Sequence, residues 1–338
     1  MEICADGMAW LSKRDGSVVV GHGPFVEMAD APEDGVAFYI QDFAMGDARP
    51  WKIPARIERS SVEKLAARPG ELALDCNWAG LDPAEFSVVF QEVMASIQRG
   101  EFEKTVPVVT ETGTARHAPG SSIVAAMISQ PAPLHSYGWV GREAGFAGAT
   151  PELLVRMHGR RLETMALAGT ARSEDREVFA VDEKEILEHE FVARTLVAKL
   201  LDLGRIERGP REILDLGSIV HFLTPIAVEL SSELSPEDLI RRLHPTPALG
   251  PLPRSRETLA LLIGWRRRLG CPDQFGAPFG LRDGKTFEAV VAIRGIWWKG
   301  NLLRLPTGCG VIDASRLVNE WRELRLKREA VKRFLFPL

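Results

Sequence analysis

FEAVVAIRGIWWKGNLLRLPTGCGVIDA, residues 287–314, is the clearest hairpin in the chain. Two runs of aliphatic and aromatic residues meet at Lys299-Gly300, which predicts two antiparallel strands with Arg294 in the first and Gly308 and Gly310 closing the second. Glycines at a strand end let a ligand approach the backbone, although turns use the same residue. Upstream, LHSYGWVGR (134–142), AGFAGATPELLVRMHG (144–159) and RRLETMALAGTAR (160–172) read as three further strands joined by glycine-containing turns, with Glu152 inside the second. A carboxylate between apolar neighbours there is either a surface rung or a desolvated acid whose pKa is raised. KTVPVVTETGT (104–114) is another strand and puts Lys104 at a helix-to-strand corner. GSIVHFLTPIAVELS (217–231) is a strand carrying His221, a residue type that in such a place more often satisfies a core than catalyses.

Helices cover these strands. Residues 82–100 begin with Asp-Pro, place Phe86, Val89, Phe90, Val93 and Ile97 at helical spacing and stop at Gly100. Residues 182–201 carry Glu185 and Glu188 three apart, with Ile186, Phe191, Leu196 and Leu200 available to a core. Residues 316–334 carry Glu320, Glu323 and Lys327 on one stripe, with Val318, Leu324, Val331 and Phe334 for packing. Either stripe alone reads as a solvated helix face. Two Glu-x-x-Glu faces together can cage one hard divalent cation, and Mg2+ is its natural occupant because it takes carboxylate oxygens and waters. Between these helices, HPTPALGPLP (244–253) is a shaped, rigid loop with four prolines. The pattern predicts one large α/β domain of layered antiparallel strands with outer helices.

The 338 residues are 45% hydrophobic, enough for a sizeable core, and the net charge of −4 offers no broad basic surface for nucleic acid. A small-molecule partner is expected instead. Cys4, Cys76, Cys271 and Cys309 are far apart and read as reduced thiols. With no long apolar run to cross a membrane and no apolar stretch near Met1, a cytoplasmic protein is expected. Residues 1–80 show short strand-like runs and no readable chemistry.

The motifs FEK, ATPELL, LAGT, KEILEH, HPTPALG, VAIR, GCGV and NEWRELRLK, in this order and spacing, resemble the chorismate-binding enzymes, the family of isochorismate, salicylate, anthranilate and aminodeoxychorismate synthases. The resemblance covers a catalytic core of about residues 82–334 and is loose over residues 1–80. It implies a single domain of two layered antiparallel β-sheets with outer helices around a deep cleft. It also implies Glu188 and Glu323 on Mg2+ directly, with Glu185 and Glu320 behind them. Arg294 would hold the enolpyruvyl carboxylate of chorismate, Gly308 and Gly310 would offer N–H groups nearby, and Lys327 would complete the charge. Gly169 and Thr170 would line the ring, with His221 close to it, and Lys104 and Glu152 would form the base and acid.

Within the family, Lys104 stands where anthranilate synthases have glutamine, which favours water as nucleophile. Ala168 stands where aminodeoxychorismate synthases have lysine, and HPTPALG is similar to the isochorismate synthase loop. The implied activity is conversion of chorismate to isochorismate, feeding menaquinone or a catechol siderophore, with no glutamine amidotransferase partner. Salicylate synthesis and chorismate binding without turnover are the alternatives. Phe275 in place of a common tyrosine and Val109 in place of an arginine depart from the family pattern.

Overall fold

In the computed structural model, which describes residues 6–65 and 74–335, the hairpin forms between Gly295–Lys299 and Leu302–Gly308. Gly300 turns the corner at φ +54°, a left-handed conformation that glycine adopts without strain. From this hairpin one antiparallel layer extends outward. Leu302–Gly308 pairs with Val108–Ala115, which pairs with Cys76–Trp78. On the other side Gly295–Lys299 pairs with Ala144–Thr150, and then follow His135–Val140 and Met8–Ser12. The second layer runs Val36–Ile40, Pro278–Asp283, Thr286–Val291, Leu153–His158, Arg161–Arg172 and Ile219–Leu230. Short strands Gly204–Arg208 and Glu212–Asp215 finish that edge.

The two expected layers share hydrogen bonds. A long antiparallel pair, Ser17–Met28 with Trp51–Ser61, joins Met8–Ser12 of one layer to Val36–Ile40 of the other, and its register shifts between His22 and Phe25. Residues 8–61, in which the sequence shows no chemistry, therefore supply four strands that are integral to the sheet.

Between the layers lies a core with Leu11, Tyr137, Phe146 and Trp297 on one side and Phe38, Phe279, Leu281 and Val290 on the other. The Tyr137 and Phe279 rings meet across it at 5.5 Å, and Phe146 meets Phe279 edge-on at 6.0 Å. Outside the first layer pack the helices Gly120–Ile128 and Leu317–Leu335. Outside the second pack Glu183–Leu200 and Pro236–Leu243. Pro83–Gln98 starts as predicted, with Asp82 accepting from the Ala84 N–H. No helix among the described residues is long and apolar enough to cross a membrane.

The sequence reading needs correction at two strands and two helix faces. Residues 144–159 form two strands, and Pro151-Glu152 lies in the break between them because proline cannot continue the ladder. Arg294 likewise sits between Thr286–Val291 and Gly295–Lys299, at φ +57°. Val318 and Phe191, expected in the core, are 61% and 38% exposed, whereas Leu324, Val331, Leu196 and Leu200 are buried. Each apolar face is narrower than the sequence suggests.

Gly138 lies beneath the buried Trp10 ring, where an added Cβ would meet indole carbons at 2.1–2.5 Å. Gly138→Ala should destabilise the protein by about 1–3 kcal/mol, measured by denaturant unfolding, because the indole has no room to move.

Candidate active site

The strand breaks and helix faces converge on a cleft of about 750 Å³. Its walls include every residue singled out for chemistry from the sequence except Glu185 and Glu320. The cleft is built at points where regular structure stops. Lys104 begins the short strand Lys104–Thr105, Glu152 follows Pro151, Arg294 interrupts a strand, and Gly308 ends one.

Glu152 is 3% exposed, which rejects the surface rung and leaves the desolvated acid. Burial pushes its carboxyl up to about 7, against the downward pull of a hydrogen bond from Thr246 and the charges of Lys104 and Lys327. The Thr246 hydroxyl donates to Oε1 at 2.8 Å. Lys104, also 3% exposed, donates from Nζ to Glu188 Oε1 at 2.9 Å. Burial acts upward on Glu188, but Lys104 and Lys327 outweigh it and the carboxyl lies below the usual range. Gly310 makes room for this pair, since a Cβ there would come within 2.8 Å of Lys104 Cε.

Lys327 reaches Glu323 Oε1 at 2.5 Å and donates to the Gly308 carbonyl at 3.0 Å. That carbonyl, not an N–H, is the Gly308 group engaged here. Glu185 accepts from the Thr170 N–H at 3.2 Å, and burial together with Glu188 raises its pKa. Gly169, at φ +76°, clears the same carboxylate, whose Oε2 would be 3.2 Å from an added Cβ. Burial and the neighbouring Glu323 push Glu320 up to about 7, and its Oε2 is buried without a hydrogen-bond partner.

Among the described residues no three acidic, histidine or cysteine side chains close around a point tightly enough to grip an ion as they stand. Glu188 and Glu323 are turned to lysines instead. The donor set nevertheless suits a hard cation: it is all carboxylate, and the orphaned Glu320 oxygen together with the raised Glu185 and Glu320 marks excess negative charge at that end.

His221 is buried, with Nδ1 2.7 Å from the Gly169 carbonyl and 3.2 Å from Thr170 Oγ1. Burial and Arg294 push its pKa down to about 3, so it is neutral; Nδ1–H donates to Gly169 and Nε2 accepts from Arg294 Nη2 at 3.1 Å. It is both a satisfied buried histidine and a wall of the cleft. Arg294 is 8% exposed and, among the described residues, has no carboxylate in ion-pair contact. Burial lowers its pKa to about 10, so it stays cationic at neutral pH. A buried guanidinium in a cleft, held by a neutral histidine, can receive an anion.

Phe275 lines the cleft and meets Trp297 edge-on at 5.7 Å. Val109 is buried against Phe102 and Trp265 in a separate core and does not line the cleft. Leu249, Ile293 and Thr307 complete the walls, Thr246 bonds Glu152, and none of the four was singled out from the sequence. A lone threonine between two prolines was the available signal for Thr246.

A family model described as chorismate binding enzyme matches residues 49–336, and the chain belongs to that family. It is 32% identical over 199 residues to an isochorismate synthase of Bacillus subtilis, covering 54% of this chain and 40% of the relative. It is 33% identical over 193 residues to an isochorismate synthase of Escherichia coli, covering 53% and 48%. The matched stretch thus spans about half the length of these curated relatives or less. The fold is similar to that of the menaquinone-specific isochorismate synthase of Escherichia coli, with a TM-score of 0.81 at 19% identity over 97% of this chain and 88% of that one.

The Glu152 pKa predicts a pH signature in stability. The folded-state value of about 7 lies above the ordinary 4.5, so the folded chain holds this proton more tightly; the resulting stability is complete below about pH 4.5 and is lost as the pH rises through 7. Urea unfolding should show the parent losing about 2–3 kcal/mol relative to Glu152→Gln between pH 4.5 and pH 8. Parallel pH dependences would contradict the desolvated acid.

Proposed function

We propose that this protein is an isochorismate synthase, converting chorismate to isochorismate by adding water at C2 as the C4 hydroxyl leaves. The observation that carries the reading is the pairing in one cleft of a buried acid whose pKa is near 7 with a buried lysine. The reaction needs one group to take a proton and another to give one at neutral pH. Lys104, in its unprotonated form, takes the proton of the incoming water. Glu152 gives its proton to the departing hydroxyl. Arg294 binds the enolpyruvyl carboxylate, oriented by His221, while Gly169 and Thr170 bound the ring. Relatives described as isochorismate synthases support the same reading.

Glu188 and Glu323 would hold Mg2+ at the cleft wall, with Glu185 and Glu320 behind them. When bound, that cation would neutralise the ring carboxylate of the substrate. Lys104 and Lys327, which occupy Glu188 and Glu323 in the structure, would be freed toward the substrate.

Incubation with chorismate and Mg2+, followed by chromatography and mass analysis, should yield isochorismate, with or without ammonium. Salicylate with stoichiometric pyruvate would assign the runner-up activity, and an amino product in ammonium would overturn water as the nucleophile. Chelation, Glu188→Gln and Glu323→Gln should each abolish turnover while the fold is retained. Glu152→Gln should bind chorismate and lose about 10²–10⁴-fold in turnover, and Lys104→Ala should form no isochorismate.

A further inference from the structure

The Pro-rich loop touches both members of the proposed proton-transfer pair. Leu252 donates its N–H to the Lys104 carbonyl at 2.8 Å, and its carbonyl accepts from the Glu103 N–H at 2.7 Å. Six residues earlier, the Thr246 hydroxyl reaches Glu152. The loop itself is fixed: the Thr246 carbonyl accepts from the N–H groups of Leu249 and Gly250, and His244 Nε2 lies 2.9 Å from the Phe43 carbonyl.

Building on the proposed function, we infer that Thr246 is a positioning residue for the acid, holding Oε1 of Glu152 so that the transferable proton sits on Oε2. Three observations carry this. Thr246 is 5% exposed, so water does not compete for the contact. Its hydroxyl has no other acceptor among the described residues, which makes it the donor and Oε1 the acceptor. No other side chain among the described residues hydrogen-bonds the Glu152 carboxyl, so without Thr246 the group is free to rotate and to present either oxygen. The charged groups that reach Glu152 are Lys104 and Lys327, and both remain when the hydroxyl is removed. The hydrogen bond favours the ionised carboxyl, so its loss raises the pKa.

The test compares Thr246→Val, which keeps the shape and loses the donor, with Thr246→Ser, which keeps the donor. Thr246→Ala replaces the valine variant if that one does not fold. In the donor-free variant kcat should fall about 10–100-fold with KM nearly unchanged. The alkaline limb of the kcat profile should move up by roughly 0.5–1 pH unit. Thr246→Ser should keep the parent profile. The carboxyl titration of Glu152, followed by 13C NMR without substrate and identified by its loss in Glu152→Gln, should move in the same direction. A parent-like titration and profile in Thr246→Val, or a serine variant that behaves like the valine one, would overturn the inference. If the parent itself does not turn over chorismate, the proposed function fails, whereas turnover with an unmoved profile removes only the role of Thr246.

Discussion

The ion pair between Lys104 and Glu188 is the contact on which the cleft depends. It joins a strand end to the helix Glu183–Leu200, which packs outside the second layer. A second pair, Lys327 with Glu323, lies within the C-terminal helix, and the same lysine reaches the hairpin through the Gly308 carbonyl. Buried charges cost several kcal/mol each to desolvate, and removing one partner typically costs about 3–5 kcal/mol because the other is left uncompensated. Lys104 and Lys327 together therefore hold the Glu188 carboxyl below its ordinary range although burial acts upward on it. At Glu185, which the half-exposed Lys184 approaches at 3.5 Å, and at Glu320, burial and the neighbouring carboxylates outweigh that lysine and the pKa rises.

That distribution separates the carboxylates by role. Glu188 is held ionised by its lysines and is suited to bind a cation, whereas Glu152, desolvated and only partly relieved by Thr246, Lys104 and Lys327, is suited to carry a proton. Arg294 is the complement. Its guanidinium, lacking a carboxylate partner among the described residues and held at φ +57°, stores backbone strain in a position that a substrate anion would make use of. Mg2+ and a carboxylated substrate would each bring the charge that one end of the cleft lacks.

Much of this was legible in the sequence, for identifiable reasons. Helical periodicity placed Glu185 with Glu188 and Glu320 with Glu323, because spacing by three fixes a shared face whatever the tertiary context. The 299–300 turn fixed the hairpin, and the layered antiparallel arrangement followed from the strand pattern and the family resemblance together. Less legible were the breaks at Glu152 and Arg294, since a run of apolar residues looks continuous until a proline or a positive φ interrupts it. The exposure of Val318 and Phe191 depends on which layer each helix covers, a long-range fact with no local mark. Thr246 was missed because its partner lies 94 residues away. The role of residues 8–61 was hidden because strands signal their pairing only through partners elsewhere in the chain.

The central claim is that water, activated by Lys104, supplies the new hydroxyl while Glu152 releases the old one. The direct measurement is turnover of chorismate in 18O-labelled water with Mg2+, followed by mass analysis of the product. Isochorismate carrying one 18O at C2 is the result the account predicts. Isochorismate formed with no label would mean that the C4 hydroxyl migrates without solvent, and would contradict it.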